Sequence, residues 1–287
     1  MTQKTIAVLG AGIMGRGIAY ASAVGGFRTI LQDLEGAALE KAVDDISASL
    51  EKGVALGKVD GATATAAHKR LTITRELQQA ACEADLVIEA VPESVELKRD
   101  LYARVEPELA TTAILASNTS SIPIGRLADG LLRPERFLGL HFFNPVPLMK
   151  LLEIVVGPRT APEVVETARA LAARLGKDAI VVKDAPGFAT SRLGVALGLE
   201  AIRMLEEGVA SAADIDRAME LGYGHPMGPL RLTDLVGLDV RLAIARTLEK
   251  ELGPRFTPPR LLIEKVAEGA LGKKSGRGFY DWDPAAG

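Results

Sequence analysis

The sequence predicts an α/β protein: a mainly parallel sheet covered by helices, with an inserted helical hairpin, followed by a smaller all-helical domain. Three observations predict it. Short apolar runs bounded by turn residues alternate with helical patterns over roughly the first two thirds of the 287 residues. The alternation stops after Asp184-Ala185-Pro186-Gly187, beyond which apolar residues recur at helical intervals. A glycine-rich turn, Gly10-Ala11-Gly12-Ile13-Met14-Gly15, lies between the first apolar run and the first helical stretch.

The runs are residues 5–9, 29–32, 71–74, 86–91, 114–117, 137–142, 151–156 and 179–183. Continuous apolar runs of this length suit strands buried on both faces of a sheet. Residues 16–24 come after the glycines as a helix. The stretch 33–70 is rich in Ala, Glu and Lys, with Leu39, Val43, Ile46 and Leu50 at helical spacing. Gly53, Gly57 and Gly61 punctuate its second half, so the stretch reads as a helix and a second helix inserted after the second strand. Residues 192–208, 212–221 and 238–252 carry the same helical character. The boundary falls at Pro186, giving domains 1–186 and 187–287. The tail 275–282 is too aromatic for a free linker and is expected to pack down.

Composition narrows the function classes. Hydrophobic residues make up 48% and charged residues 25%, the mix of an ordinary globular protein. Net charge is −3 with Lys and Arg scattered, so no nucleic-acid partner is expected. The N-terminus shows no apolar leader region, and no uninterrupted apolar run reaches the ~18 residues of a membrane span. Neither secretion nor membrane insertion is expected. Cys82 is the single cysteine, which excludes an internal disulfide and any multi-cysteine metal site. No metal is expected; Cys82 reads as a small buried thiol, and the implied compartment is cytoplasmic. Only three histidines, at 68, 141 and 225, could supply imidazole chemistry. His68 reads as a polar-loop residue and His225 as part of a turn before Pro226.

The glycine-rich turn has the context of a dinucleotide fingerprint. Gly10 allows the tight turn, Gly12 allows backbone to approach a pyrophosphate, and Gly15 allows helix and strand to pack closely. Ile13 and Met14 belong to the same loop. Asp33 ends the second run about 20 residues on, where a carboxylate accepts hydrogen bonds from the adenosine ribose. This is a Rossmann-type arrangement. Asp33 would repel a 2′-phosphate, and Leu34-Glu35-Gly36-Ala37 offers no arginine to hold one, so NAD is expected rather than NADP.

His141 ends an apolar run, and Glu153 lies inside the next one. A carboxylate in an apolar run is costly unless paired, and two adjacent strands could bring the residues together. Such a pair suits alcohol oxidation: His141 would take the hydroxyl proton and Glu153 would stabilise the imidazolium. On spacing alone, a satisfied core histidine beside an edge-strand glutamate is an equal alternative.

Taken together and in order, several segments resemble the 3-hydroxyacyl-CoA dehydrogenases, most closely the bacterial 3-hydroxybutyryl-CoA dehydrogenases. They are the fingerprint, Glu89-Ala90-Val91-Pro92-Glu93, Ser117-Asn118-Thr119-Ser120-Ser121 and His141-Phe142-Phe143-Asn144-Pro145-Val146-Pro147-Leu148-Met149-Lys150. The resemblance continues through Pro186-Gly187-Phe188, His225-Pro226-Met227-Gly228-Pro229-Leu230 and Gly272-Lys273-Lys274-Ser275-Gly276-Arg277-Gly278-Phe279-Tyr280. It implies reversible NAD-dependent oxidation of an (S)-3-hydroxyacyl-CoA, in fatty acid β-oxidation or butanoate metabolism, by a homodimer joined through its helical domains. It implies that His141 is the base and Glu153 its partner. Ser120 would contact substrate and cofactor, and Asn144 would lie near the nicotinamide. Glu93, Lys98 and Lys274 would contact NAD, and Ser49 would contact coenzyme A. The family has Asn before Arg after Pro-Gly-Phe; here Ser191-Arg192 stands there. A serine hydroxyl is shorter and donates one hydrogen bond, so Ser191 reads as working through a bridging water or shifting the substrate preference, with simple drift at a tolerant position an equal alternative.

Two rival readings use parts of the same pattern. A dehydrogenase of a free hydroxy acid or sugar acid, of the L-gulonate type, would share the His–Glu logic. A non-catalytic NAD-binding protein would keep the glycines and Asp33 but need neither His141 nor Glu153.

Overall fold

Each apolar run forms a strand in the computed structural model, which describes residues 4–283. The strands are β1 (Thr5–Leu9), β2 (Arg28–Gln32), β3 (Leu71–Thr74), β4 (Leu86–Glu89), β5 (Ile114–Ser117), β6 (Phe137–Phe142), β7 (Leu151–Val156) and β8 (Asp178–Lys183). They build one sheet in the order β3-β2-β1-β4-β5-β6-β7-β8. Neighbours are parallel except β6 and β7, which are antiparallel. The chain steps outward from β1 in both directions, to β2 on one side and β4 on the other. That reversal opens a crevice beyond the carboxyl ends of β1 and β4.

β1, β5 and β6 are buried along their whole length, as continuous apolar runs require. The edge strands β3 and β8 are only partly buried. β4 stops at Glu89 rather than at residue 91, because Glu89 Oε1 accepts the Val91 N–H at 2.8 Å and turns the chain.

Helix α1 (Ile13–Val24) starts three residues earlier than its periodicity suggests and buries Gly15, Gly17 and Ile18 among others. The predicted hairpin is present as α2 (Gly36–Ala55) and α3 (Gly61–Arg70). α2 buries Leu39, Ala42, Ile46, Leu50 and Gly53, a stripe at steps of three and four. Asp60 caps α3 by accepting the Thr63 N–H at 2.9 Å. His68 lies in the last turn of α3, exposed, rather than in a loop. Cys82 is also exposed, contrary to expectation: it ends the short helix α4 (Leu77–Cys82), whose Ala80 and Ala81 take the buried face. Helices α5 (Val95–Val105), α6 (Ile124–Leu127) and α7 (Pro162–Arg174) complete the cover.

The chain divides into two compact units, one ending at Asp184 and the other beginning at Ala185. The second unit holds α8 (Thr190–Glu206), α9 (Ala212–Tyr223), α10 (Pro229–Val236), α11 (Leu238–Leu252) and α12 (Arg260–Ala267). Its core includes Val195, Leu199, Ile202, Leu230, Leu242 and Leu262. Two buried carboxylates organise it. Asp216 accepts the Leu230 and Arg231 N–H groups at the start of α10, and the Tyr280 hydroxyl at 2.7 Å. Asp234 accepts the Phe279 and Tyr280 N–H groups and the Trp282 indole N–H at 2.8 to 2.9 Å. The aromatic tail is thereby packed down. Among the described residues, no helix is long and apolar enough to cross a membrane.

Candidate active site

The glycine-rich loop closes the end of β1. Gly10 has φ +104° and donates its N–H to the Gln32 carbonyl at 2.8 Å. A Cβ there would lie 2.8 Å from the Ala90 carbonyl oxygen, and one on Gly15 would lie 1.7 Å from the Gly10 carbonyl oxygen. Both glycines are demanded by backbone packing. Gly12 is different: its φ is −65°, and an added Cβ would meet nothing within 4 Å. The protein alone does not require glycine at that position, whereas a pyrophosphate seated on the first turn of α1 would.

Asp33 Oδ2 accepts the Ala11 N–H at 2.7 Å, and Oδ1 accepts the Glu35 N–H at 3.1 Å. A carboxylate has about four acceptor sites, so two remain for a ribose diol. A cavity of about 720 Å³ joins these residues; Gly10, Gly12, Met14, Asp33, Val91 and Leu101 are among its walls. Ile13 lines it too. The residues present fit a dinucleotide. Sequence reasoning found no arginine near Asp33, yet Arg75, from beyond β3, donates from Nε to the Leu34 carbonyl at 3.0 Å.

Glu93 and Lys98 are not among the residues that wall this cavity; both are bound to other protein groups. The Lys98 ammonium, 1% exposed, meets Glu89 at 2.6 Å and Glu93 at 3.3 Å. Glu93 Oε1 accepts the Thr119 hydroxyl at 2.6 Å, the Ser120 N–H at 3.1 Å and the Ser121 N–H at 3.2 Å. Burial opposes ionisation of Glu93, but the Lys98 charge and the Thr119 and Ser120 hydrogen bonds outweigh it and hold the carboxyl below its ordinary range. Glu93 therefore anchors the loop that carries Ser120.

His141 and Glu153 are direct cross-strand partners in the antiparallel β6–β7 ladder. His141 Nδ1 lies 2.6 Å from Glu153 Oε2, with Glu153 fully buried and His141 6% exposed. A carboxylate only accepts, so Nδ1 carries the shared proton and the neutral ring's lone pair lies on Nε2. The Phe143 ring packs against the imidazole, centroids 4.3 Å apart. Asn118 Oδ1 accepts the Phe142 N–H at 2.9 Å, tying the end of β6 to the Ser120 loop.

Asn144 comes after β6 and lines a second cavity, of about 350 Å³, with Ser49, Lys52, Arg16 and Pro145. The structure thus brings Ser49 of α2 to the segment after His141. The Ser49 hydroxyl donates to the Asp45 carbonyl at 2.7 Å within α2. Ser191 and Lys274 belong to the second unit: Ser191 is in the first turn of α8, and the Lys274 ammonium binds Asp239 at 2.6 Å. Glu89 and Asn118 stand in the segments that carry the resemblance but, like Tyr102, had no role assigned from the sequence. For Glu89 the signal existed, since a carboxylate inside the run 86–91 poses the same pairing problem as Glu153.

Residues 5–185 match the NAD-binding domain of 3-hydroxyacyl-CoA dehydrogenase, and residues 187–282 match its C-terminal domain. A probable 3-hydroxybutyryl-CoA dehydrogenase of Bacillus subtilis is 41% identical over 284 residues, covering 99% of each chain. The mitochondrial hydroxyacyl-coenzyme A dehydrogenase of Sus scrofa is 40% identical, covering 97% of this chain and 91% of its own. The solved (S)-3-hydroxybutyryl-CoA dehydrogenase of Ralstonia eutropha superposes with TM-score 0.94 at 39% identity, over 98% of this chain and all of that one. Matched in both units and about 40% identical to such enzymes over nearly its whole length, the chain belongs to the 3-hydroxyacyl-CoA dehydrogenase family.

Proposed function

We propose that the protein oxidises (S)-3-hydroxyacyl-CoA thioesters, such as 3-hydroxybutyryl-CoA, to 3-ketoacyl-CoA, reversibly and with NAD, in fatty acid β-oxidation or butanoate metabolism. The observation that carries the reading is the His141–Glu153 contact at 2.6 Å in a buried ladder. The nicotinamide, when bound, supplies the hydride acceptor. His141 takes the substrate's hydroxyl proton at Nε2, and Glu153 stays ionised against the imidazolium that forms. In the reverse direction the imidazolium returns that proton to the ketone oxygen. Ser120 and Asn144 orient substrate and nicotinamide, and Gly12, Ile13, Met14 and Asp33 hold the pyrophosphate and ribose. Glu93 and Lys98 act by fixing the Ser120 loop, and Lys274 contacts NAD. Ser49 contacts coenzyme A, and Ser191 positions the acyl oxygens, through a water where the family has asparagine. The enzyme works as a cytoplasmic homodimer through its helical domain.

An assay with NADH and NADPH in parallel tests the reading, using acetoacetyl-CoA beside free 3-hydroxybutyrate and L-gulonate with NAD. Turnover of the thioester with NADH is expected. Turnover of the free acids alone would reverse the assignment.

A further inference from the structure

The buried polar cluster under the nucleotide crevice takes no part in the proton transfer. Its hub is Glu89, a fully buried carboxylate at the end of β4. Oε1 accepts the Val91 N–H at 2.8 Å and the Lys98 ammonium at 2.6 Å. Oε2 accepts the Tyr102 hydroxyl at 2.6 Å and the Ser117 hydroxyl at 2.7 Å. Lys98 and Tyr102 are each 1% exposed, and Ser117 is fully buried. Four hydrogen bonds therefore converge on one carboxylate and join β4, α5 and β5.

Stability alone does not call for this arrangement, because well-packed apolar residues of similar volume serve a core as well or better. The placement of the cluster points elsewhere. Val91 and the opposite face of α5, with Leu97, Leu101 and Arg104, wall the dinucleotide cavity. Lys98 passes from Glu89 to Glu93, whose other oxygen accepts the Ser120 and Ser121 N–H groups. Ser117 leads directly into Asn118, which ties down the Phe142 N–H beside His141. Each group touching Glu89 is thus one step from the wall of the nucleotide site or from the end of β6.

We infer that Glu89, with Tyr102 and Ser117, is a set of positioning residues that fixes α5 and the Ser117–Ser121 segment in the geometry that binds NADH. None of the three touches the cofactor; they act through Val91, Lys98 and Glu93. The inference rests on the proposed NAD-dependent reaction, and NADH binding by the unaltered protein, measured first, tests that reading separately.

The test uses Tyr102→Phe and Ser117→Ala, which remove bonds to Glu89 and leave every charge in place, and Glu89→Gln, which leaves Lys98 without its buried counter-charge. NADH affinity is measured by fluorescence well below each variant's melting temperature, beside the KM for acetoacetyl-CoA at saturating NADH. Loss of one such hydrogen bond is expected to weaken NADH binding by about five- to tenfold, and Glu89→Gln by more. The KM for acetoacetyl-CoA should rise by less than the NADH dissociation constant, because the Ser49–Asn144 cavity is untouched and only Ser120 lies on the held segment. A purely structural role would lower the melting temperature and leave NADH affinity unchanged in the folded protein. Unchanged affinity in folded Tyr102→Phe and Ser117→Ala overturns the inference even if Glu89→Gln fails to fold.

Discussion

Two glycines three residues apart in the fingerprint, Gly12 and Gly15, are kept for different reasons. An added Cβ on Gly15 collides with the Gly10 carbonyl oxygen at 1.7 Å, whereas one on Gly12 meets open space. Gly15→Ala should therefore lower the melting temperature, with an overpacking cost of at least ~1–3 kcal/mol. Gly12→Ala should cost under about 1 kcal/mol of stability, as at an exposed helix cap, yet weaken NADH binding sharply. Thermal melts and NADH titration of both variants check the contrast; equal loss of stability would contradict it. Glu93 gives a pH test. Its carboxyl is held below its ordinary value of 4.5, so its contribution to stability is complete above that value and is lost as pH falls through the lowered folded value. The advantage of the unaltered protein over Glu93→Gln should shrink on acidification below about pH 4.5, and a constant gap from pH 7 to pH 3 would contradict this. At this scale the sequence revealed residues whose chemistry conflicts with their surroundings: a glutamate in an apolar run, glycines in a turn. It hid contacts between distant segments, such as Arg75 reaching Leu34, because nothing local encodes them.

The His141–Glu153 contact depends on the register of two elements. β6 and β7 run antiparallel with His141 opposite Glu153 and Gly139 opposite Val155. A one-residue slip would send Glu153 to the other face of the sheet. Gly139 keeps the ladder tight: a Cβ there would come within 2.8 Å of the Val155 Cβ and 2.9 Å of the Ile124 Cδ1. Gly139→Ala is expected to cost about 1–3 kcal/mol and to lower kcat with it, since the wedge sits two residues from His141. Melting and kcat measured together check this; a destabilised variant with unchanged kcat would show that the register survives. The strands were legible as elements because buried strands read as unbroken apolar runs. Their antiparallel turn at β7 was not, since apolar runs carry no direction. The eight-residue helices α10 and α12 escaped the periodicity because two turns offer too few repeats. Cys82 was misread for a related reason: with six residues in α4, one helical step decides between buried and exposed.

On the scale of the whole chain, two units each carry their own core, and the second depends on buried carboxylates. Asp234, fully buried, receives three donors from the tail, including the indole of Trp282, the sole tryptophan. Asp234→Ala should leave those donors unmet, costing roughly 3 kcal/mol, and should shift Trp282 emission to the red as the tail loosens. Unchanged emission would mean that the tail is held by its aromatic packing instead. The sequence foretold that the tail packs down from its aromatic content. It did not foretell the anchor, because Asp234 stands in α10, a helix too short to show a periodicity.

The proposed chemistry turns on one proton acceptor. The most direct measurement is kcat of His141→Ala for NADH-dependent reduction of acetoacetyl-CoA, with NADH affinity determined on the same sample. Loss of the acid–base group should lower kcat by at least ~10² while NADH binding stays within about threefold of the unaltered protein. A variant that keeps its kcat would contradict the account, leaving a nucleotide-binding fold whose His–Glu pair serves only the packing of its sheet.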